Sequence, residues 1–232
     1  MASLFPAARP YVWEMPEEVV KPSAVATQPL TAEQVQRWKT TGALVLDGLL
    51  PSPLVQLARE QASARYPQPR DAPVDYQRPY GQRLTSHIRF PMETAVLGAL
   101  NDVTVHELLL GAASQLLGTS DLRITQSNIL PKYGEADQAA GDQHIHQDYG
   151  ANQFLAPPLH SPEAVIVIVY YSDARQVEGP TTFVREASAQ QFKRSACKDT
   201  PAGGVAPSRV YSQERAVNFR PGTCLLFRVD TW

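Results

Sequence analysis

The chain has 232 residues, 43% hydrophobic and 19% charged, which suits one domain with a real core, or one domain with an elaborate extension. With 21 basic and 23 acidic residues its formal charge is −2, which excludes the basic footprint of a dedicated nucleic-acid binder. The longest apolar run, Ala164 to Tyr171, is far short of the ~20 residues of a membrane helix.

Residues 1–16 lack the basic-then-apolar order of a secretory leader, and two cysteines make neither a disulfide framework nor a zinc ribbon. A soluble, intracellular, cytoplasmic protein is expected. Pro6, Pro10, Pro16, Pro22 and Pro29 punctuate residues 1–29, which read as an extended arm, since proline supplies no backbone donor and disfavours helix before it. The domain is expected over 30–232.

Thr31 with Gln34 forms a capping box behind Leu30, which can pack on Val35, and Gly42 ends that first helix. Ala43 to Leu46 reads as a short buried strand. Ser52 before Pro53 starts a second helix. Five prolines from Pro67 to Pro91 read as a long loop over the surface or over a pocket. A third helix is expected from about Thr104, with Glu107 closing its capping box, to Gly118.

Beyond Gly118 the period becomes extended. Strands are expected at Leu122–Leu130, around His144–Tyr149, and at Ala164–Tyr171, Thr181–Val184, Val205–Ser212 and Thr223–Val229. Helices first and strands later predict an α+β protein whose second half is an antiparallel sandwich or barrel, such as a jelly roll. Ala164 to Tyr171, apolar on both faces, is expected at the centre of its sheet.

The segment richest in chemistry runs from Gly141 to Gly150. Side chains two apart on a strand share a face, so His144, His146 and Asp148 line one side, and Ile145, Gln147 and Tyr149 the other. Two histidines and a carboxylate are the facial donor set of non-haem Fe(II), which leaves coordination positions open. A His-x-Asp pair by itself is a loose signal, and the bland alternative is a polar strand with hydrogen-bonded histidines.

At this point the chain resembles the phytanoyl-CoA dioxygenase family of Fe(II)/2-oxoglutarate oxygenases. Leu30 to Trp38 and Thr41 to Leu50 look like its opening helix and strand, and Gln126 to Lys132 resembles the strand before its metal motif. His146-Gln-Asp148 stands where the family has its His-x-Asp. Ala164 to Pro180 is similar to its apolar strand, the Asp after it and its Gly-Pro turn, and Pro221 to Trp232 to the strand that delivers its distal histidine.

The resemblance implies N-terminal helices packed on a double-stranded β-helix, with His146, Asp148 and a distal histidine holding Fe(II). It also implies that 2-oxoglutarate chelates the metal, that O2 completes the site, and that decarboxylation to succinate drives hydrogen abstraction from a small-molecule substrate. In the family that histidine follows the last strand and an arginine comes later. This chain stops at Trp232, so it is expected to be C-terminally incomplete; a peroxisomal address, which would lie beyond Trp232, stays open. Gly179 to Arg185 also lacks the Pro-Gly-Ser-His common after that turn.

His144 is read as a neighbour of the ligands rather than one of them. Gln126 and Asn128 should point the same way, where an inward amide would donate to 2-oxoglutarate; the alternative is an amide satisfied by nearby backbone. Lys132 stands near a lysine of some relatives, against the alternative of a solvated strand-end lysine. His87 stands where some relatives place a basic cosubstrate contact. His106 reads as surface or core, Cys224 as a small buried apolar residue and Cys197 as lacking a partner.

Two alternatives remain. One is a non-catalytic jelly-roll binding protein with an incomplete metal site. The other is a zinc hydrolase using His144, His146 and Asp148, whose pattern wants a histidine where Tyr149 stands and more of them downstream than His160.

Overall fold

The computed structural model describes residues 28–66, 88–129, 131, 164–173, 181–184, 194–195, 198–201, 214–229 and 231. Helix α1 (Ala32–Thr41) begins as expected. The Gln34 backbone donates to Thr31 Oγ1 at 3.2 Å and the Thr31 backbone to Gln34 Oε1 at 2.8 Å, so two otherwise orphaned amides are satisfied. The helix ends where Gly42 adopts φ 80°, a conformation glycine enters without steric cost. Strand β1 (Ala43–Leu46) follows directly.

Helix α2 (Ser52–Arg65) starts one residue earlier than the Ser52 cap implies, since Pro51 is the cap residue and makes no side-chain bond. Strand β2 (Ile88–Arg89) lies within the proline-rich stretch read as loop. Helix α3 (Thr94–Thr104), not foreseen, packs on α2 and bends at Leu97. Thr104 is therefore the end of a helix rather than the start of one, and its hydroxyl donates back to the Leu100 carbonyl at 2.9 Å. Helix α4 (Glu107–Leu117) begins instead at His106, whose Nδ1 accepts from the Leu108 amide at 3.2 Å, and it stops at Gly118 as expected.

By length and composition alone Thr94–Leu117 could cross a membrane. The chain leaves helical geometry at Val105 and His106, and both halves place Leu97, Leu100, Val103, Leu109 and Leu116 in the core.

The strand expected over Leu122–Leu130 contracts to β3 (Asn128–Ile129), paired antiparallel with β2. Next come β4 (Val165–Val169), β5 (Thr182–Val184), β6 (Arg194–Ser195), β7 (Lys198–Pro201), β8 (Glu214–Ala216) and β9 (Cys224–Arg228). The strands expected at His144–Tyr149 and Val205–Ser212 lie outside the described residues.

The main sheet is antiparallel with order β1-β9-β4. Among the described residues β9 lies between β1 and β4, and β4 pairs with β9 alone. Cys224, Leu225 and Leu226 are 0–1% exposed, and all five β4 residues are partly buried.

Alternation along these strands makes two apolar layers. Leu44, Leu46, Cys224, Leu226 and the valines of β4 face the four helices. Ala43, Leu225, Phe227, Ile168 and Tyr170 face the other way, toward Phe183 of β5 and toward Val217 and Phe219 beyond β8. Helices thus cover one face of the main sheet, and the β5–β8 pair stands against the other.

Candidate functional site

The β2–β3 pair divides its side chains sharply. Ile88 stands opposite Ile129, and both pack on the helical core. The Ser127 hydroxyl lies 3.3 Å from Thr104 Oγ1 of α3. Ser127 and Ile129 therefore face the helices, and Asn128 faces away. Gln126 is exposed and Asn128 half-buried, and neither amide bonds to a described residue.

The sequence reading missed the residue opposite Asn128, which is Arg89. Phe90 N donates to Ser127 O at 2.9 Å, so 90 and 127 are a hydrogen-bonded pair. The neighbouring pair, Arg89 and Asn128, is then the close, non-hydrogen-bonded kind with Cα atoms about 4.5 Å apart. The signal was present in Ser86-His-Ile-Arg-Phe90, where apolar Ile88 and Phe90 flank Arg89 with strand period.

The far face of the main sheet is apolar. Tyr170 stacks on Phe219 with ring centroids 4.0 Å apart and planes 7° apart. Burial pushes its phenol up to about 12, eased by the Thr181 side chain. Thr181 does not complete a hydrogen bond, however, and the phenol oxygen is buried without a partner. On the helix side, burial and then the neighbouring Cys224 raise Tyr171 further.

The turn into β9 is held by a polar clip. Gly222 N donates to the Tyr170 carbonyl at 2.8 Å, and Thr223 Oγ1 donates to Asp47 while accepting from the Arg220 amide. Arg220 closes an ion pair with Asp47 at 3.2 Å. A cleft of about 260 Å³ beside it, lined by Leu30, Gln34, Leu46, Asp47 and Leu108, holds none of the expected site residues. Its Gln34 and Asp47 are already engaged in the capping box and the clip.

His87, Lys132, His144, His146 and Asp148 lie outside the described residues. Among the described residues no three His, Cys, Asp or Glu side chains gather as a metal site. His106 Nδ1 caps α4, Asp47 is clipped, and burial pushes the Cys224 thiol up to about 12. An imidazole and a carboxylate, the side-chain types of His146 and Asp148, are a donor set whose chemistry fits ferrous iron.

The sequence model of the phytanoyl-CoA dioxygenase (PhyH) family matches residues 38–232. A comparison with curated protein sequences gives no match. Among solved structures, EctD from S. alaskensis with 2-oxoglutarate and 5-hydroxyectoine superposes with a TM-score of 0.60 at 16% identity, over 89% of this chain and 70% of that one. SnoK, a non-heme alpha-ketoglutarate-dependent carbocyclase from nogalamycin biosynthesis, gives 0.55 at 16% identity, over 90% and 78%. SnoN, the corresponding epimerase, gives 0.52 at 18%, over 86% and 73%. At these identities the likeness is one of fold.

Proposed function

Because the chain belongs to the phytanoyl-CoA dioxygenase family, we propose that it is an Fe(II)/2-oxoglutarate-dependent dioxygenase that hydroxylates a small molecule. The observation that carries this reading is the span of the family match, residues 38–232, which takes in His146-Gln-Asp148. The EctD likeness, a structure holding 2-oxoglutarate, supports it. The domain is then 30–232 behind an extension at 1–29, and the two facing strand groups are parts of a double-stranded β-helix.

His146 and Asp148 would hold the ferrous ion. When bound, the iron and 2-oxoglutarate supply oxidative decarboxylation coupled to O2 activation, chemistry that belongs to the cofactor pair. The chain's own part is to bind, orient and exclude water. Gln126 and Asn128 offer amide donors to 2-oxoglutarate from one side of β3, with His87 and Lys132 as basic contacts. The apolar layer of Ile168, Leu225 and Phe227 keeps the neighbouring space dry. SnoK and SnoN are named as a carbocyclase and an epimerase, so this fold does not restrict the outcome to hydroxylation.

Succinate formation from 2-oxoglutarate, measured with and without Fe(II) in a protein that carries the distal histidine and arginine the family resemblance implies, tests the reading. Asp148→Ala and His146→Ala are each expected to abolish the iron-dependent part; turnover equal to wild type in both would overturn the assignment. His144→Ala is expected to lower it only modestly, and complete loss would place that imidazole on the metal.

A further inference from the structure

We propose that Arg215 is a specificity-determining residue at the mouth of the space between the two facing sheets, where its guanidinium binds an oxyanion group, carboxylate or phosphate, of the organic substrate. The substrate is that of the oxygenase reading above, on which this assignment rests; binding of the anion itself needs no metal.

The pairing of β5 with β8 orients the residue. Phe183 stands opposite Arg215, and one step along, the Val217 amide donates to the Thr181 carbonyl. Phe183 and Val217 both belong to the apolar layer against the main sheet. Cross-strand partners, and residues two apart on a strand, share a face, so Arg215 stands on the inner side of the pair. A charge there is out of pattern, since its neighbours on that side, Thr181, Phe183, Val217 and Phe219, are all neutral.

The layer is closed at one end and open at the other. Tyr170 of the main sheet stacks on Phe219, and both are buried. Away from that stack exposure rises on each sheet. On the main sheet Leu225 is buried, while Ile168 and Phe227 are half-buried. On the facing pair Val217 is 2% exposed, Phe183 is half-buried and Arg215 is exposed. Because Phe183 still packs on the layer, both runs lead the same way. Arg215 marks their open end, roughly 13 Å from the stack along an extended chain.

Its bonds leave the guanidinium available. Arg215 Nη1 donates to the carbonyl of its neighbour Glu214 at 2.8 Å, and no ion pair joins it to a described residue, whereas Arg123 and Arg220 have aspartate partners. Arg89 is exposed too, but its strand pairs with β3 and belongs to neither sheet of this layer. A guanidinium presents parallel N–H donors to a carboxylate or phosphate, and the half-buried Ile168, Phe183 and Phe227 offer an apolar body its contact surface. On the oxygenase reading β9 is the strand that leads to the distal histidine. It runs from Leu225 toward the open end, so what enters beside Arg215 approaches the metal.

Fluorescence titration of the chain with 8-anilinonaphthalene-1-sulfonate and with N-phenyl-1-naphthylamine, one aromatic body with and without an oxyanion, tests this without metal or turnover. Wild-type protein is expected to bind the sulfonate about 3–10-fold more tightly than the amine, a preference that falls with added salt. Arg215→Gln should lose the preference while binding the amine as before. Arg215→Lys should keep part of it, and Arg89→Gln all of it. These variants change exposed side chains and should fold normally, which matching circular dichroism melts would verify.

No preference in wild type overturns the proposal. So does an equal loss in Arg89→Gln, which would make the effect one of general surface charge. An unchanged preference in Arg215→Gln also overturns it, leaving the arginine only the task of blunting a strand edge. Weaker anaerobic binding of 2-oxoglutarate with Fe(II) in Arg215→Gln, measured in the protein used for the succinate assay, would assign the guanidinium to the cosubstrate instead. Failure of the oxygenase reading shows separately, as iron-independent succinate yields, because the probe titration needs no metal.

Discussion

Cys224 is fully buried, with its Sγ 3.6 Å from the Gly222 carbonyl. Loss of solvation, and secondarily the Asp47 carboxylate, push its thiol up to about 12 from 9.0. A group whose folded pKa is raised stabilises the fold fully below the unfolded value, and that contribution declines as pH climbs toward the folded one. Stability should therefore fall between pH 9 and about 12, with Tyr170, raised from 10.0 to about 12, acting in the same direction. Cys224→Ala is expected to flatten the alkaline limb of a melt-versus-pH curve. At about pH 8.5, near the ordinary thiol value, iodoacetamide should leave the native Cys224 peptide unlabelled by mass spectrometry and label it on unfolding. Rapid native labelling would contradict the burial.

Gly222 is the other residue with a narrow tolerance. Its φ is +90°, and a Cβ there would stand 3.3 Å from both Val55 methyls. The left-handed backbone alone costs an alanine about 1–2 kcal/mol, and the squeeze against α2 adds to it. Gly222→Ala should lower stability by at least that much in urea unfolding; an unchanged midpoint would mean that the turn relaxes freely.

At the scale of elements, β9 sets the architecture, because it is the strand that both β1 and β4 use. Leu226, 0% exposed, sits between Leu44 and Val167 in the register. Leu226→Ala should cost about 2–5 kcal/mol as transfer energy and cavity are lost together. Ile166→Ala on half-exposed β4 should cost clearly less, and equal losses would argue against β9 as the centre.

The same elements show what sequence can carry. Helix α1 was readable because Thr31, Gln34 and Gly42 signal within four residues of the bonds they make. Helix α3 was not, since Glu93 offers no side-chain cap and Leu97 breaks the helical geometry. The strand order escaped the reading because β1 and β9 meet across most of the chain, a choice made by packing rather than by local pattern. Arg89 was hidden among prolines that made β2 look like loop.

At the scale of the whole molecule, the chain is closed by its distant segments. Strand β1 pairs with β9 in four registers, Arg228 Nη1 donates to the Lys39 carbonyl at 2.8 Å, and Thr231 Oγ1 to the Gly42 carbonyl at 2.9 Å. The end of α1 and the strand after it are therefore structural partners of the segment that closes the fold. Leu30 marks where this dependence begins: it is 6% exposed, and its amide and carbonyl both bond to the Gln115 side chain of α4, at 2.8 and 2.9 Å.

Removing residues 1–27 should consequently leave the thermal midpoint within a few degrees of wild type. Removing residues 1–34 takes away Leu30, whose burial is worth about 1.5–3 kcal/mol, the helix cap, worth about 1 kcal/mol, and the Gln115 clasp. Such a loss is a large share of the roughly 5–15 kcal/mol that holds a domain of this kind together, so the shorter protein should melt early or fail to fold. Circular dichroism melts of the two truncations decide the matter. A large drop already on removing 1–27 would make the proline-rich arm part of the core domain rather than an extension of it.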